Sequence, residues 1–318
     1  MNAFLSFLGR HVMTAMVVGV FIGLMVPTLA TFMRPFLAPS VWVLLLVSLL
    51  RVDVGEGLHH LNRLGRILVL LFCFLVILPV VMYLVLSFTS LPSGVIGAMV
   101  LAAGSSVLIS TPTFAVLMGL DGAIVLLVML GSTLLLPLTL PTVALLLLDL
   151  QLEMNNWELM GRLIALIGSA LAFAAIIRKI FGEVRIANHA RALDGVAVVT
   201  LIIFAVAIMD GFVNRLLAEP GFIIFVTAMS FLVYVGLSIV MAIALSFIVP
   251  EWGKRVNFSI AFAAGARNLG IIIAVLPANG DPDMLVYFAA GQFPIYIMPA
   301  IIRPIMLRML GTAKRCLD

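Results

Sequence analysis

The sequence predicts an all-α polytopic membrane protein, and three observations carry that expectation. Of 318 residues, 64% are hydrophobic and 10% charged, with a mean hydropathy of +1.30; a soluble domain is nearer half apolar and about a quarter charged. The apolar residues gather into stretches long enough to cross a bilayer, which takes about 20 residues per helix. Short turn and charge signals separate them, leaving no room for an extramembrane catalytic or nucleotide-binding domain of ~100 residues. The net charge of +4 therefore reads as a topology signal in loops and not as a nucleic-acid surface.

Taken in order, the apolar stretches run at 11–33, 36–51, 66–88, 93–119, 122–148, 159–178, 194–217, 221–249, 256–277 and 284–309, about ten spans. The first lacks a small-x-small cleavage site and reads as a retained helix, not a signal peptide. The breaks between spans fall at Arg34-Pro35, the run Arg51 to Arg66, Leu91-Pro92-Ser93-Gly94, Asp121-Gly122 and Asn155-Asn156. They continue at Arg178 to Arg191, Glu219-Pro220-Gly221, Pro250 to Arg255 and Asn279-Gly280-Asp281-Pro282. Asp121 is expected to cap the fifth span. With the amino terminus inside, the cytoplasmic loops collect Arg10, Arg51, Arg63, Arg66, Arg178, Lys179, Arg185, Arg191, Lys254, Arg255, Arg303, Arg308, Lys314 and Arg315. Outside remain Arg34, Arg162 and Arg215, and Arg267 lies within a span. This bias predicts a multi-pass protein of the inner or plasma membrane with both termini cytoplasmic.

Two spans are not uniformly aliphatic. The fourth carries Gly104, Ser105, Ser106, Ser110, Thr111, Pro112, Thr113 and Gly119, and the ninth carries Gly265, Arg267, Asn268 and Gly270. Each is the fourth of five spans, in halves 1–150 and 151–318. Five is odd, so the halves must have opposite topology, the arrangement of an inverted-repeat transporter with broken helices 4 and 9 crossing at its binding site. Interrupted backbone is tolerated at membrane depth only where protein or a wet cavity satisfies it. Pro112, Gly265 and Gly270 are the expected helix breaks. Ser105, Ser106, Ser110, Thr111, Thr113, Arg267, Asn268 and Gln292 are the candidate substrate-binding residues.

Each has a plainer alternative. Arg267 either serves a ligand or caps carbonyls of the broken fourth helix, and Asn268 either meets a substrate or satisfies freed backbone. The hydroxyls also bond their own helices. Asp210 is a candidate proton-coupling group, or an interface acid beside Arg215. Cys73 and Cys316 read as packing and tail residues, and His59 and His60 as solvated loop residues without metal-ligand spacing. No nucleotide loop, metalloprotease helix or Ser-His-Asp arrangement is visible, so the chain does not read as an enzyme.

The fourth and fifth spans, ending TFAVLMGLDGAIVLLVMLGSTLLLPLTLPTVALLLL, and the ninth, SIAFAAGARNLGIIIAVL, resemble the bile acid:sodium symporter family. The second span with its loop, LLLVSLLRVDVGEGLHHLNR, and the eighth, GFIIFVTAMSFLVYVGLSIVMAIAL, fit the same layout, and the resemblance runs along nearly the whole chain. It implies a core domain of spans 3–5 and 8–10 around the crossing, a panel domain of spans 1, 2, 6 and 7, and alternating-access transport of a small or amphipathic organic anion with sodium. The family's ligands are largely replaced here. Its span-4 Ser-Asn pair falls on Thr111 and Pro112, its span-5 hydroxyls on Val125 and Met129, and its span-9 Glu and Gln on Ala263 and Arg267. Classical sodium coupling is therefore not expected, and the Arg267 guanidinium is expected to stand in for the ion. Two other readings stay open: a channel-like or non-transporting ligand-binding membrane protein, and a proton-linked auxin-efflux-type carrier.

Overall fold

The computed structural model describes residues 12–51, 64–148, 155–277 and 280–310. Among them nearly every residue is helical and no strand forms. Among the described residues seven helices are long and apolar enough to cross a membrane: Pro27–Arg51, Gly65–Leu86, Gly122–Leu148, Asn156–Phe181, Ala190–Ala218, Pro220–Ile248 and Pro282–Met309. The chain is an all-α, multi-pass membrane protein. His59, His60, Cys316 and the basic residues Arg10, Arg63, Lys314 and Arg315 lie outside the described residues.

The first elements are α1 (Val12–Met25), α2 (Pro27–Met33), a 3₁₀ turn (Arg34–Phe36) and α3 (Leu37–Arg51). Sequence reasoning breaks the chain at Arg34-Pro35, but the helical run is interrupted earlier, at Val26, where φ is −127°. Pro27 opens α2 in the first turn, where its missing N–H costs nothing. Pro35 is absorbed by the 3₁₀ turn, after which the Leu37 N–H bonds Arg34 O and the helix resumes.

Next come α4 (Leu64–Phe72), a π turn (Cys73–Ile77) and α5 (Leu78–Leu86). Pro79 has no N–H to offer the Leu75 carbonyl, and the helix widens just before it. The half-helices α6 (Ser93–Gly104) and α7 (Thr111–Leu117) precede the long α8 (Gly122–Leu148). Asp121 caps α8 as expected, its Oδ1 accepting from Ala123 N at 3.1 Å and Ile124 N at 3.2 Å. The chain continues through α9 (Asn156–Phe181), α10 (Glu183–Asn188), α11 (Ala190–Ala207), α12 (Phe212–Ala218) and α13 (Pro220–Ile248). A second pair of half-helices, α14 (Gly253–Gly265) and α15 (Leu269–Val275), leads to α16 (Pro282–Ala290) and α17 (Gln292–Met309).

Residue size decides which helices lie inside. In α6 every residue from Gly97 to Gly104 is buried, and its glycines and alanines let neighbours approach closely. On α13 the buried residues Ile223, Val226, Ser230, Tyr234, Leu237, Met241 and Leu245 recur at helical spacing. The opposite face exposes Ile224, Leu232, Ile239, Ile243 and Phe247, an apolar outer surface suited to lipid. Glycine sets two of the closest contacts. A Cβ at Gly23 would come within 2.9 Å of Met209 Cβ, and one at Gly19 within 3.0 Å of Ala205 Cβ, so α1 lies directly on α11. A Cβ at Gly265 would collide with Tyr234 O and Ser238 Oγ on α13.

Polar ties then join the helices in two groups. Arg51 pairs with Asp194, Trp42 Nε1 donates to Ser169 Oγ at 2.9 Å, and Arg178 Nη2 donates to Leu49 O at 2.9 Å, linking α3 to α9 and α11. Elsewhere Asp121 N donates to Ser259 Oγ at 2.7 Å, Arg255 Nη2 to Leu120 O at 3.2 Å and Arg303 Nε to Leu117 O at 3.3 Å. These tie the end of α7 and the start of α8 to α14 and α17.

Gly265→Ala should lower the unfolding temperature, with an overpacking cost of about 1–3 kcal/mol. Gly236→Ala, on α13 with nothing within 4 Å of the added methyl, should be neutral or slightly stabilising. Thermal unfolding of the two variants in the same detergent checks the pair; equal shifts would show that the α13–α14 contact is looser than described.

Candidate functional site

The interruptions of α6–α7 and α14–α15 meet. After Gly104 the backbone is extended at Ser105, with φ −71° and ψ 166°, and its Oγ turns back to Ala102 O at 2.9 Å. Pro112 lies in the first turn of α7, so the break itself precedes it. After Gly265 the chain leaves the helix at Ala266, and Asn268 begins α15 as its N-cap, Oδ1 accepting from Ile271 N at 3.3 Å. The two extended pieces run antiparallel: Leu108 N donates to Ala266 O at 2.9 Å and Asn268 N to Ser106 O at 2.8 Å. These bonds flank the facing pair Val107 and Arg267. Val107 N is taken by Ser132 Oγ of α8 at 3.1 Å. Backbone groups freed by the breaks thus find partners within the protein, as the apolar setting demands.

Side chains alternate along extended backbone. Arg267 and Val107 therefore share one face of the crossing, and Ser106 and Asn268 share the other. Arg267 is 3% exposed. Its Nε donates to Ala264 O at 2.8 Å and its Nη1 to Ser105 O at 3.1 Å. Ala264 belongs to the last turn of α14 and Ser105 is the C-cap of α6. The guanidinium thus closes the carbonyl ends of two half-helices, where unpaired oxygens and the negative dipole ends collect. The Phe74 ring lies 4.6 Å from its central carbon, a cation–π contact supplied by the π turn before Pro79. No carboxylate is within ion-pair distance of Arg267 among the described residues.

The structure brings Ser105, Ser106, Arg267 and Asn268 together, with Thr111 one turn along, its N–H on Leu108 O at 3.0 Å. Ser106 Oγ, Thr111 Oγ1, Asn268 Nδ2 and Arg267 Nη2 are buried without a protein partner, and buried polar atoms normally have one. Ser110 is half-buried and Thr113 exposed. Gln292, 2% exposed, bonds back to Phe288 O at 3.1 Å. Gly265 is required by the contact with α13. Gly270 packs closely on α11, since a Cβ there would come 3.2 Å from the Phe204 ring.

A second feature lies beyond α15. A cleft of about 720 Å³ opens among α2, α3, the end of α11, α12, α15 and α16. Its walls include Leu37, Ala207, Ile208, Ile273, Ala274, Leu276, Leu285 and Val286, and its charged residues are Arg34, Asp210 and Arg215. Asp210 accepts from Arg34 Nη1 at 2.6 Å and from Thr31 Oγ1 at 2.7 Å. Its cation is thus Arg34, and Arg215 turns away to Asp283 at 2.8 Å and Glu219 at 3.3 Å. Asp210 is an ion-paired tie between α2, the 3₁₀ turn and the end of α11, and it does not reach the crossing. Sequence reasoning missed Phe74, Ser132 and Arg34 as site residues. One phenylalanine among 21 carries no signal of its own, and the basic residues of loops were absorbed into the topology argument.

No family model and no curated protein matches this chain.

Replacing Arg267 should be costly because two helix-end carbonyls lose their side-chain donor. Arg267→Ala should lose about 2–4 kcal/mol of stability, whereas Arg267→Lys, which keeps the charge without the planar fork, should lose less. Thermal unfolding of the three proteins tests this, and an Arg267→Ala variant as stable as the parent would show that the carbonyls are satisfied without it.

Proposed function

We propose that the protein is a secondary transporter of an organic anion that works by alternating access without classical sodium coupling. The observation that carries the reading is the crossing: two helices interrupted in corresponding halves of the chain, paired through their backbones, with Ser106, Thr111 and Asn268 presenting buried unpartnered polar atoms beside it. On this reading α1, the pair α6–α7 and the pair α14–α15 complete ten spans with the seven long helices, in two inverted five-span repeats. The resemblance to bile acid:sodium symporters belongs to the same proposal. The ties among α3, α9 and α11 and the packing of α1 on α11 support a panel of these helices and a core built on the crossing, joined by the bond from Arg162 of α9 to Val275 O of α15. α15 contributes both to the crossing and to the cleft wall, so motion of the core would carry one against the other.

The residues do not fit a bound sodium. Val125 and Met129 are buried and apolar, and the helix-end carbonyls of Ser105 and Ala264 are already held by a guanidinium. A fixed arginine cation does at this point what a dissociable ion would do, so the crossing is held together at every stage of transport. The groups left to meet an anion are then Asn268 and Ser106, with the unpartnered Nη2 of Arg267.

Purified protein in proteoliposomes should exchange labelled taurocholate or small carboxylates saturably, at the same rate in sodium and choline buffers. A tenfold loss without sodium, about 1.4 kcal/mol of coupling, would overturn sodium independence, and non-saturating flux would make the protein a channel. The charge bias further implies that Arg185→Cys resists a membrane-impermeant maleimide added outside intact cells, while Gly280→Cys reacts. The reverse pattern would overturn the orientation.

A further inference from the structure

We propose that the basic end of the bundle around Arg255 and Arg303 is a binding site for a phospholipid with an anionic headgroup. Four cations from three separate segments gather there. Arg255 Nη2 donates to Leu120 O at 3.2 Å and Arg303 Nε to Leu117 O at 3.3 Å, so both guanidiniums converge on the turn between α7 and α8. Lys254 adjoins Arg255. The 3₁₀ turn just before them (Pro250–Trp252) sets Trp252 against Arg66 of α4, whose Cζ lies 5.6 Å from the ring centre. All four cations are exposed, and none has an ion-pair partner among the described residues. The acids beside them among the described residues are Glu251, which adjoins Trp252, and Asp121, whose Oδ1 caps α8. Positive charge is in excess at this end of the molecule.

These are not loose surface cations. Arg255 and Arg303 each commit a nitrogen to a main-chain carbonyl, which orders the long side chain and leaves the rest of the fork to meet a phosphate. Lys254 and Arg255 stand in the first turn of α14, which holds no acid, and the helix dipole there opposes a cation. Their placement therefore does nothing for the helix itself. Trp252 is of the residue type that settles at headgroup depth. Apolar side chains are exposed around the cations: Val69 one turn beyond Arg66, Val116 and Leu117 at the end of α7, and Phe247 and Ile248 just before the 3₁₀ turn. Charge beside lipid-facing apolar surface fits a phosphodiester that carries acyl chains, in preference to a soluble phosphate or an acidic peptide. The inference uses the membrane placement of the helices and not the transport reading. Because Leu117 and Leu120 end a half-helix of the crossing, an occupied site would brace that turn against α14 and α17.

Titration of the full-length protein in maltoside micelles with phosphatidylglycerol or phosphatidylcholine, read by native mass spectrometry, tests this. The parent should retain phosphatidylglycerol in preference to phosphatidylcholine, and equal retention would overturn the proposal. Lys254→Gln, Arg255→Gln and Arg303→Gln should each weaken phosphatidylglycerol about fivefold, the glutamines keeping an N–H for the two carbonyls. Arg191→Gln removes an exposed charge on α11 and should leave binding unchanged. An equal loss in that variant would mean that net charge, and no particular site, attracts the lipid. Should the arginine variants unfold, Lys254→Gln decides, since Lys254 is exposed in the first turn of α14; an unchanged affinity there would overturn the site. Glycerol 3-phosphate or a polyglutamate peptide that displaces the lipid at equal concentration would assign the patch to a soluble phosphate or an acidic protein segment, and would overturn the lipid.

Discussion

The structure depends on one constraint: backbone hydrogen-bonding groups released by two interrupted helices must be satisfied where lipid offers nothing. They are satisfied by one another. Leu108 and Asn268 donate across to Ala266 and Ser106, and Arg267 takes up the carbonyls of Ser105 and Ala264 that the helix ends leave behind. An arginine at a span centre costs at least ~2.5–3.5 kcal/mol to insert. The offset is local, because the charge is delivered to two converging negative dipole ends and to the face of Phe74. The guanidinium and the crossing support each other, since the cation meets the carbonyls that the interruptions expose.

Much of the surrounding structure serves this arrangement. Gly265 permits α14 to lie against α13, and Gly270 permits the first turn of α15 to lie against Phe204 of α11. Ser132 reaches from α8 to the one backbone N–H at Val107 that the opposite segment does not take. The turn before α8 is tied to α14 through Asp121 and Ser259. The half-helices are thus short but held from several sides, while the long helices around them keep one apolar face outward. Polar ties lie within groups of helices and also between them, Arg162 Nη1 of α9 reaching Val275 O of α15 at 3.1 Å, and the charges of the cleft are held in ion pairs.

The resemblance and the geometry bear differently on Arg267. The proposed resemblance would put it where a glutamine accompanies sodium ligands, as a residue of the proposed site. Its contacts make it an internal cap on the carbonyl ends of α6 and α14 together. Both descriptions hold if a permanent cation replaces a dissociable one, and the consequence is a division of labour within the crossing. Arg267 holds the helix ends through Nε and Nη1, while its Nη2 and the polar atoms of Ser106 and Asn268 keep capacity to spare.

Composition and periodicity alone determined that the chain is a multi-helix membrane protein, that helices near 104–113 and 265–270 are interrupted, and that Asp121 caps the helix after it. These are local or additive properties: apolar length, proline and glycine chemistry, and a carboxylate beside free N–H groups. Sequence also singled out Arg267, because a lone cation in a span is costly wherever it points. Tertiary structure alone decided where it points, since residues 107 and 267 become neighbours only through long-range backbone pairing, and alternation then separates Arg267 from Asn268 despite their adjacency. The same holds for the partners of Asp210 and Arg215, whereas the break at Val26 is local, since Val26 precedes Pro27 and a residue before proline is disfavoured in the helical region. An ion pair between residues 176 positions apart, as Arg34 and Asp210 are, leaves no periodic trace in the chain. It exists because folding brings the ends of separate helices to the same edge of one cleft.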